Sequence, residues 1–388
     1  MDAPPPPRQS PPGGPAHLAF LDTARGIAIL IVLLYHALDC AAGMNRLQWN
    51  GWWIDFAHTP RPLLLLLPIC FGWISVAIFF AVSGFCIHLS HERPPGGGWS
   101  PFFQRRFFRI YPPYLLALCF FTFLFPLTRY GEFTWRHAAQ FGSHLLLAHN
   151  ADGRLVSGIN PSFWAIAVEA QLYLLYPLLL LAAKRLGWTR ALLLAGGIEG
   201  ALRLADLWWH LPVLVNTSPF YYWLSWGVGA KLADDHLRGR PLFLLRWPLW
   251  PFVLATAATL FCAPLAAFSF PLTAFATVRI FAGCLARPGN PARPSRLTRS
   301  MAWLGGISYS LYLLHQPLLN AFMQAAKAAL PHLPPLPLFG CGLAFCLLLV
   351  PAAWLFRQGA ECKSIAWGKR IAQRRSRAST GVPAAYAK

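Results

Sequence analysis

Residues 18–39 read LAFLDTARGIAILIVLLYHALD, and this stretch decides the fold. As a helix rising about 1.5 Å per residue it spans about 33 Å, the thickness of a bilayer's hydrocarbon core. Nothing polar interrupts it between Gly26 and Tyr35. Its polar residues are Asp22, Arg25 and His36, and at about 100° per residue they fall on one stripe about 60° wide. A stripe of ionisable groups on a membrane helix faces the bundle interior or a water-filled cavity. A plainer reading competes: an Asp–Arg pair anchoring the interface, plus a hydrogen-bonded histidine.

The rest of the chain agrees with a bilayer as solvent. Hydrophobic residues make up 56% of the 388 and charged residues only 12%. A soluble domain carries about a quarter charged residues, and one this apolar would expose very large patches. The 17 Trp and the 15% aromatic content suit interfacial belts. The net charge of +20 would suggest nucleic acid in a soluble protein, but the base-reading and stacking modules are missing. Nine cysteines, mostly in apolar runs and without a CxxC pair or a Cys/His cluster, read as buried hydrophobes and not as a disulfide or metal framework.

Residues 1–17, MDAPPPPRQSPPGGPAH, read as a disordered Pro-rich tail. Ten apolar segments follow, near 18–39, 69–90, 111–128, 163–183, 190–207, 219–235, 249–265, 267–286, 301–322 and 337–357. Pro264 and Pro271 interrupt the 249–286 pair. With the N-terminus placed inside, one side holds 24 Lys and Arg and the other 6. That bias puts both termini in the cytoplasm. The expected architecture is an all-α polytopic bundle of about ten transmembrane helices over 18–357, with a basic cytoplasmic tail at 358–388. No internal repeat is visible.

Four further motifs carry polar groups. The second span ends ISVAIFFAVSGFCIHLS, where Ser83-Gly84 is a small-residue break suited to close helix packing. FFQRRFFRIYPPY places Arg105, Arg106 and Arg109 before the third span, with Pro112 and Pro113 setting the start of its helix. Forked guanidiniums at a helix N-terminus suit a phosphate-bearing ligand; lipid phosphates are the alternative. The fourth span reads NPSFWAIAVEAQLYLLYPLLLL, with Glu169 about two turns in and Gln171 and Tyr173 close by. An intramembrane carboxylate needs a partner or a function. The ninth span, LGGISYSLYLLHQPLLN, holds Ser308, Tyr309, Ser310, Tyr312 and His315. His315 reads as a hydrogen-bonded core residue or a proton carrier.

In order, these motifs resemble the membrane acyltransferase-3 family, which includes O-acetyltransferases of lipopolysaccharide O-antigen, nodulation factors and other glycans. The resemblance rests on Asp22-x-x-Arg25-Gly26 leading to His36, Phe79-Phe80-x-x-Ser83-Gly84-Phe85, Arg106-x-x-Arg109-Ile110-x-Pro112, Trp164-x-x-x-Val168-Glu169-x-Gln171-x-Tyr173, and Ile307-Ser308-Tyr309-Ser310-Leu311-Tyr312-x-x-His315-x-Pro317. It covers roughly residues 18–357. Two departures stand out. Thr23-Ala24 replaces the usual Gly-Leu, and AIAVEA over 165–170 replaces the frequent Ser-Leu-Ser-Val-Glu-Glu, keeping Glu169 but losing neighbouring hydroxyls.

The resemblance implies an O-acyltransferase of a bacterial inner (plasma) membrane. It would move an acyl group, acetyl from acetyl-CoA, from the cytoplasmic side to a hydroxyl of a glycan, a lipid-linked carbohydrate or another envelope acceptor. Acyl-CoA is a substrate; no permanently bound cofactor and no metal are expected. His36 is the candidate general base, because histidine titrates nearest the working pH. Glu169 would orient it or pair with its charge. Asp22, Arg25, Ser83, Arg106, Arg109, Tyr309 and His315 would line the substrate path, with Arg106 and Arg109 on the donor's phosphates. A covalent acyl-histidine is the rival chemistry. A secondary transporter or flippase of lipid-linked sugar is the rival function, since the same residues suit ion or lipid pathways.

Overall fold

A computed structural model describes residues 18–43, 47–92, 98–125, 135–287 and 294–380. The Pro-rich tail lies outside the described residues, with Arg8, Arg46, Arg93, Arg129, Arg293 and Lys388 of the charge count. Twelve described helices have eleven residues or more. They are α1 (Ala19–Ala42), α2 (Ser75–Glu92), α3 (Trp99–Cys119), α4 (Trp135–Leu145), α5 (Phe163–Leu186) and α6 (Trp188–Trp209). After these come α7 (Trp223–Leu237), α8 (Trp250–Leu260), α9 (Ser269–Ala286), α10 (Arg296–Ala329), α11 (Pro335–Phe356) and α12 (Cys362–Thr380). A two-residue hairpin, Trp49–Asn50 against Trp53–Ile54, is the one described sheet.

Each of the ten expected segments falls on a helix over its described residues, 126–128 of the third lying outside them. Among the described residues, six helical stretches are long and apolar enough to cross a membrane: Ala19–Ala42, Gly72–Glu92, Trp99–Leu124, Phe163–Leu186, Ala263–Ala286 and Pro335–Arg374. The other four fall short for physical reasons. Helix α7 has 15 residues and α8 has 11, the latter ending just before the turn at Pro264. Helices α6 and α10 bury polar groups, Glu199 and Arg203 on one and Ser308, Ser310 and His315 on the other.

Two close crossings set the frame. Gly26 of α1 meets the backbone of α10 at Met301, and Gly305 of α10 meets the backbone of α1 at Asp22. Helices α2 and α7 repeat this arrangement with Gly84 and Gly229. A side chain at any of these positions would hold the backbones apart. The larger apolar core gathers Phe80, Phe85, Tyr114, Tyr176 and Trp226; a second, with Ile29, Leu33, Leu311 and Leu319, joins α1, α10 and α11.

One expectation changes. The third span does not begin at Pro112: α3 starts at Trp99 and runs through both prolines. Pro112 leaves the Phe108 carbonyl without its helical donor, and Ser364 Oγ supplies one at 2.5 Å. The prolines are thus accommodated inside the helix, and Arg106 and Arg109 sit mid-helix, not at an N-terminus. The donor comes from the segment expected as a basic cytoplasmic tail, whose residues Cys362–Thr380 form α12 and pack on α3, with Trp367 against Phe108 and Gly368 directly over the Phe108 ring.

Candidate functional site

A cavity of about 400 Å³ lies among α1, α2, α3, α5, α10 and the chain just beyond α11. It is lined by Asp22, Arg25, Ser83, Arg106, Arg109, Glu169 and Tyr309, drawn from all five motifs. Arg25 Nη1 donates to Asp22 Oδ1 at 2.6 Å, and Nη2 reaches Cys86 Sγ at 3.1 Å. Ser83 Oγ donates to Glu169 Oε1 at 2.7 Å, and the Tyr173 hydroxyl donates to the same oxygen at 2.5 Å. Trp226 Nε1 in turn donates to Ser83 Oγ at 3.2 Å. At the Ser83-Gly84 break, Gly84 packs against α7 while Ser83 bonds the carboxylate.

Arg106 Nη2 donates to Ser90 Oγ at 2.8 Å, while its buried Nε has no partner among the described residues. Tyr309 donates its hydroxyl to the Ile110 carbonyl at 2.8 Å, fixing α10 to α3. In the fourth-span motif, Glu169 and Tyr173 lie on the cavity side, as an i, i+4 pair should. Gln171 points elsewhere and bonds the Leu147 carbonyl and Asn150, holding that loop in place.

A second cavity, of about 490 Å³, takes its lining from later on α1. Tyr35 and His36 face it with Trp73, Trp164, Asp206, Asn216 and Gln316. Val76 and Tyr312 line both cavities, so the two chambers share a wall. His36 is half-buried and has no hydrogen-bond partner among the described residues, which leaves its imidazole to the chamber. Its ring centroid lies 5.2 Å from that of His315. His315 is wholly buried, and its Nδ1 lies 2.9 Å from the Tyr312 carbonyl. A carbonyl can only accept, so Nδ1 carries the proton and Nε2 is free to accept; Ser162 Oγ is 3.5 Å from it.

Glu169 and His36 therefore do not form a hydrogen-bonded pair. The carboxylate is held by two hydroxyls in the first chamber, and the imidazole opens on the second beside His315. The eleven residues separating Arg25 from His36 on α1 make a rise of about 16 Å, enough to put them in different chambers. Contributors to the first chamber that the motifs do not contain include Cys86, Arg357 and Glu361. Arg357 and Glu361 follow directly on the last apolar span, and that adjacency is the only trace they leave in the sequence. Among the described residues, no group of three or more His, Cys, Asp or Glu could hold a metal ion.

A family profile described as an acyltransferase domain matches residues 18–355. The chain belongs to the membrane acyltransferase-3 family. No curated protein and no solved structure is found to match it. This acyltransferase is an integral membrane protein, and its family membership displaces the transporter or flippase reading. The polar groups of its two chambers are then those to be assigned to donor and acceptor.

Proposed function

We propose that this acyltransferase carries an acetyl group from acetyl-CoA to a hydroxyl of a glycan or other envelope acceptor, across a bacterial inner membrane that it crosses ten times with both termini in the cytoplasm. The observation that carries this reading is the shared wall. A guanidinium-rich chamber and a chamber holding an unpartnered imidazole meet at Val76 and Tyr312. Arg106 and Arg109 suit the phosphates of an acyl carrier entering the first chamber. The reactive thioester would reach past Tyr312 toward His36. The acceptor, in the second chamber, would be held by Trp73, Trp164 and the polar groups of Asp206, Asn216 and Gln316.

In the transfer, the acceptor oxygen attacks the thioester carbon while its proton passes to His36. The C–S bond then breaks, and the departing thiolate takes up the proton that His36 received, which returns the imidazole to its neutral form. His36 has the access a general base needs, with the His315 ring beside it at 5.2 Å. Replacing His36 with Ala should lower turnover about 10²–10⁴-fold without changing membrane insertion or binding of CoA. Mass spectrometry of the acceptor glycans, with and without the variant, reads the result. A variant that keeps more than half of wild-type turnover would exclude His36 as the base.

A further inference from the structure

The family-matched segment ends at residue 355, yet the chain beyond it enters the first chamber. Between α11 and α12, residues Arg357–Glu361 form one π-helical turn. Such turns insert a residue into a helix, re-aim the side chains around it, and recur at functional sites. Here the turn sets Arg357 and Glu361 in the wall of the chamber. Its position is fixed from both sides. Glu361 is buried and accepts from Ser310 Oγ of α10 at 3.0 Å. Three residues on, Ser364 bonds the Phe108 carbonyl that Pro112 leaves open.

Arg357 is the exception in this well-bonded segment. Its guanidinium has no hydrogen-bond partner among the described residues, and its Nε is buried. Arg106 Nε, in the same chamber, is likewise buried and unpartnered. A buried N–H of a charged group is costly to leave without an acceptor. The carboxylates nearby do not satisfy the need. Asp22 is engaged by Arg25, Glu169 by Ser83 and Tyr173, and Glu361 by Ser310. Four guanidiniums against three carboxylates leave the chamber one positive charge in excess. Arg106 and Arg357 both line this cavity of net positive charge, and guanidiniums left short of acceptors there call for a ligand with several anionic oxygens.

We infer that Arg357 is a ligand for the phosphate groups of the acyl donor, supplied from outside the family domain and held in place by the docking of α12 on α3. This rests on the reading of the first chamber as the donor site. The C-terminal segment would thereby be part of the binding machinery and not only a basic tail.

The test uses the full-length protein purified in lipid nanodiscs. Affinities for CoA and for inorganic pyrophosphate are measured by calorimetry on the wild type, R357Q, R357M and R357K. Two neutral variants of different polarity are included so that one serves if the other unfolds, and the melting temperature reports folding. The neutral variants should bind CoA, pyrophosphate or both about ten- to a hundredfold more weakly, and R357K should recover part of the loss. Unchanged affinity for both probes in a folded neutral variant overturns the inference. Wild-type protein that binds pyrophosphate but not CoA, with loss in R357Q, keeps Arg357 as an anion ligand and rejects acyl-CoA as the donor. Wild-type protein that binds neither overturns both.

Discussion

Replacing Gly305 with Ala tests whether the crossing of α1 and α10 holds the candidate site together. A Cβ at this position would lie 1.8 Å from the Asp22 carbonyl oxygen. A close carbon–oxygen approach between packed helices is about 3.3 Å, so the two helices would have to part by about 1.5 Å. The obstacle is backbone on both sides, and no side chain can rotate out of the way. Asp22 and Arg25 would be drawn from Ser308 and Tyr309, which line the same chamber from α10. Overpacking of this kind costs about 1–3 kcal/mol of stability, and a misplacement of about 1 Å costs about 10²-fold in rate. The control is Gly200→Ala on α6, where a Cβ meets nothing within 4 Å and helix propensity favours Ala by about 0.5–1 kcal/mol. Melting temperature and acyl-transfer turnover, measured side by side, decide it. Gly305→Ala should lose both, and Gly200→Ala neither. Wild-type turnover and melting in Gly305→Ala would refute the claim that this contact positions the site.

Two further outcomes follow from particular contacts. Glu169→Gln removes a charge that accepts from both Ser83 and Tyr173; it should lower stability by about 1–3 kcal/mol and change the KM for the donor, with the KM for the acceptor unmoved. A shift in the acceptor KM alone would place Glu169 in the wrong chamber. His144, on the short helix α4, stacks on His149 with ring centroids 3.8 Å apart, both fully buried against Phe163 of α5. Burial holds both neutral and pushes their values down to about 4 and about 3, against about 6.5 in an unfolded chain. The unfolded form therefore takes up more protons as the pH falls from about 6.5 toward 4, and the stability contributed by the pair is lost over that window. Melting of the purified protein should fall on acidification more steeply in the wild type than in His149→Phe; equal slopes would count against it.

The sequence by itself determined that this is a membrane bundle, placed helices on its apolar segments, and put several polar residues on shared helix faces. Those properties are local. Hydropathy over some twenty residues separates bilayer from water, and helical periodicity already puts Asp22, Arg25 and His36 on one side of α1. Even so, local reading misplaced the start of α3, because the donor that rescues the carbonyl freed by Pro112 lies 256 residues away in Ser364. Only the tertiary structure decided which polar groups share a chamber. Ser83 meets Glu169 across 86 residues, and Arg25 meets Cys86 across 61. The same packing sets His36 beside His315 instead of Glu169, and returns Arg357 and Glu361 to a cavity opened by the first helix. No period or propensity encodes such pairings, because they depend on which helices cross, at what depth, and how closely their glycines let the backbones approach.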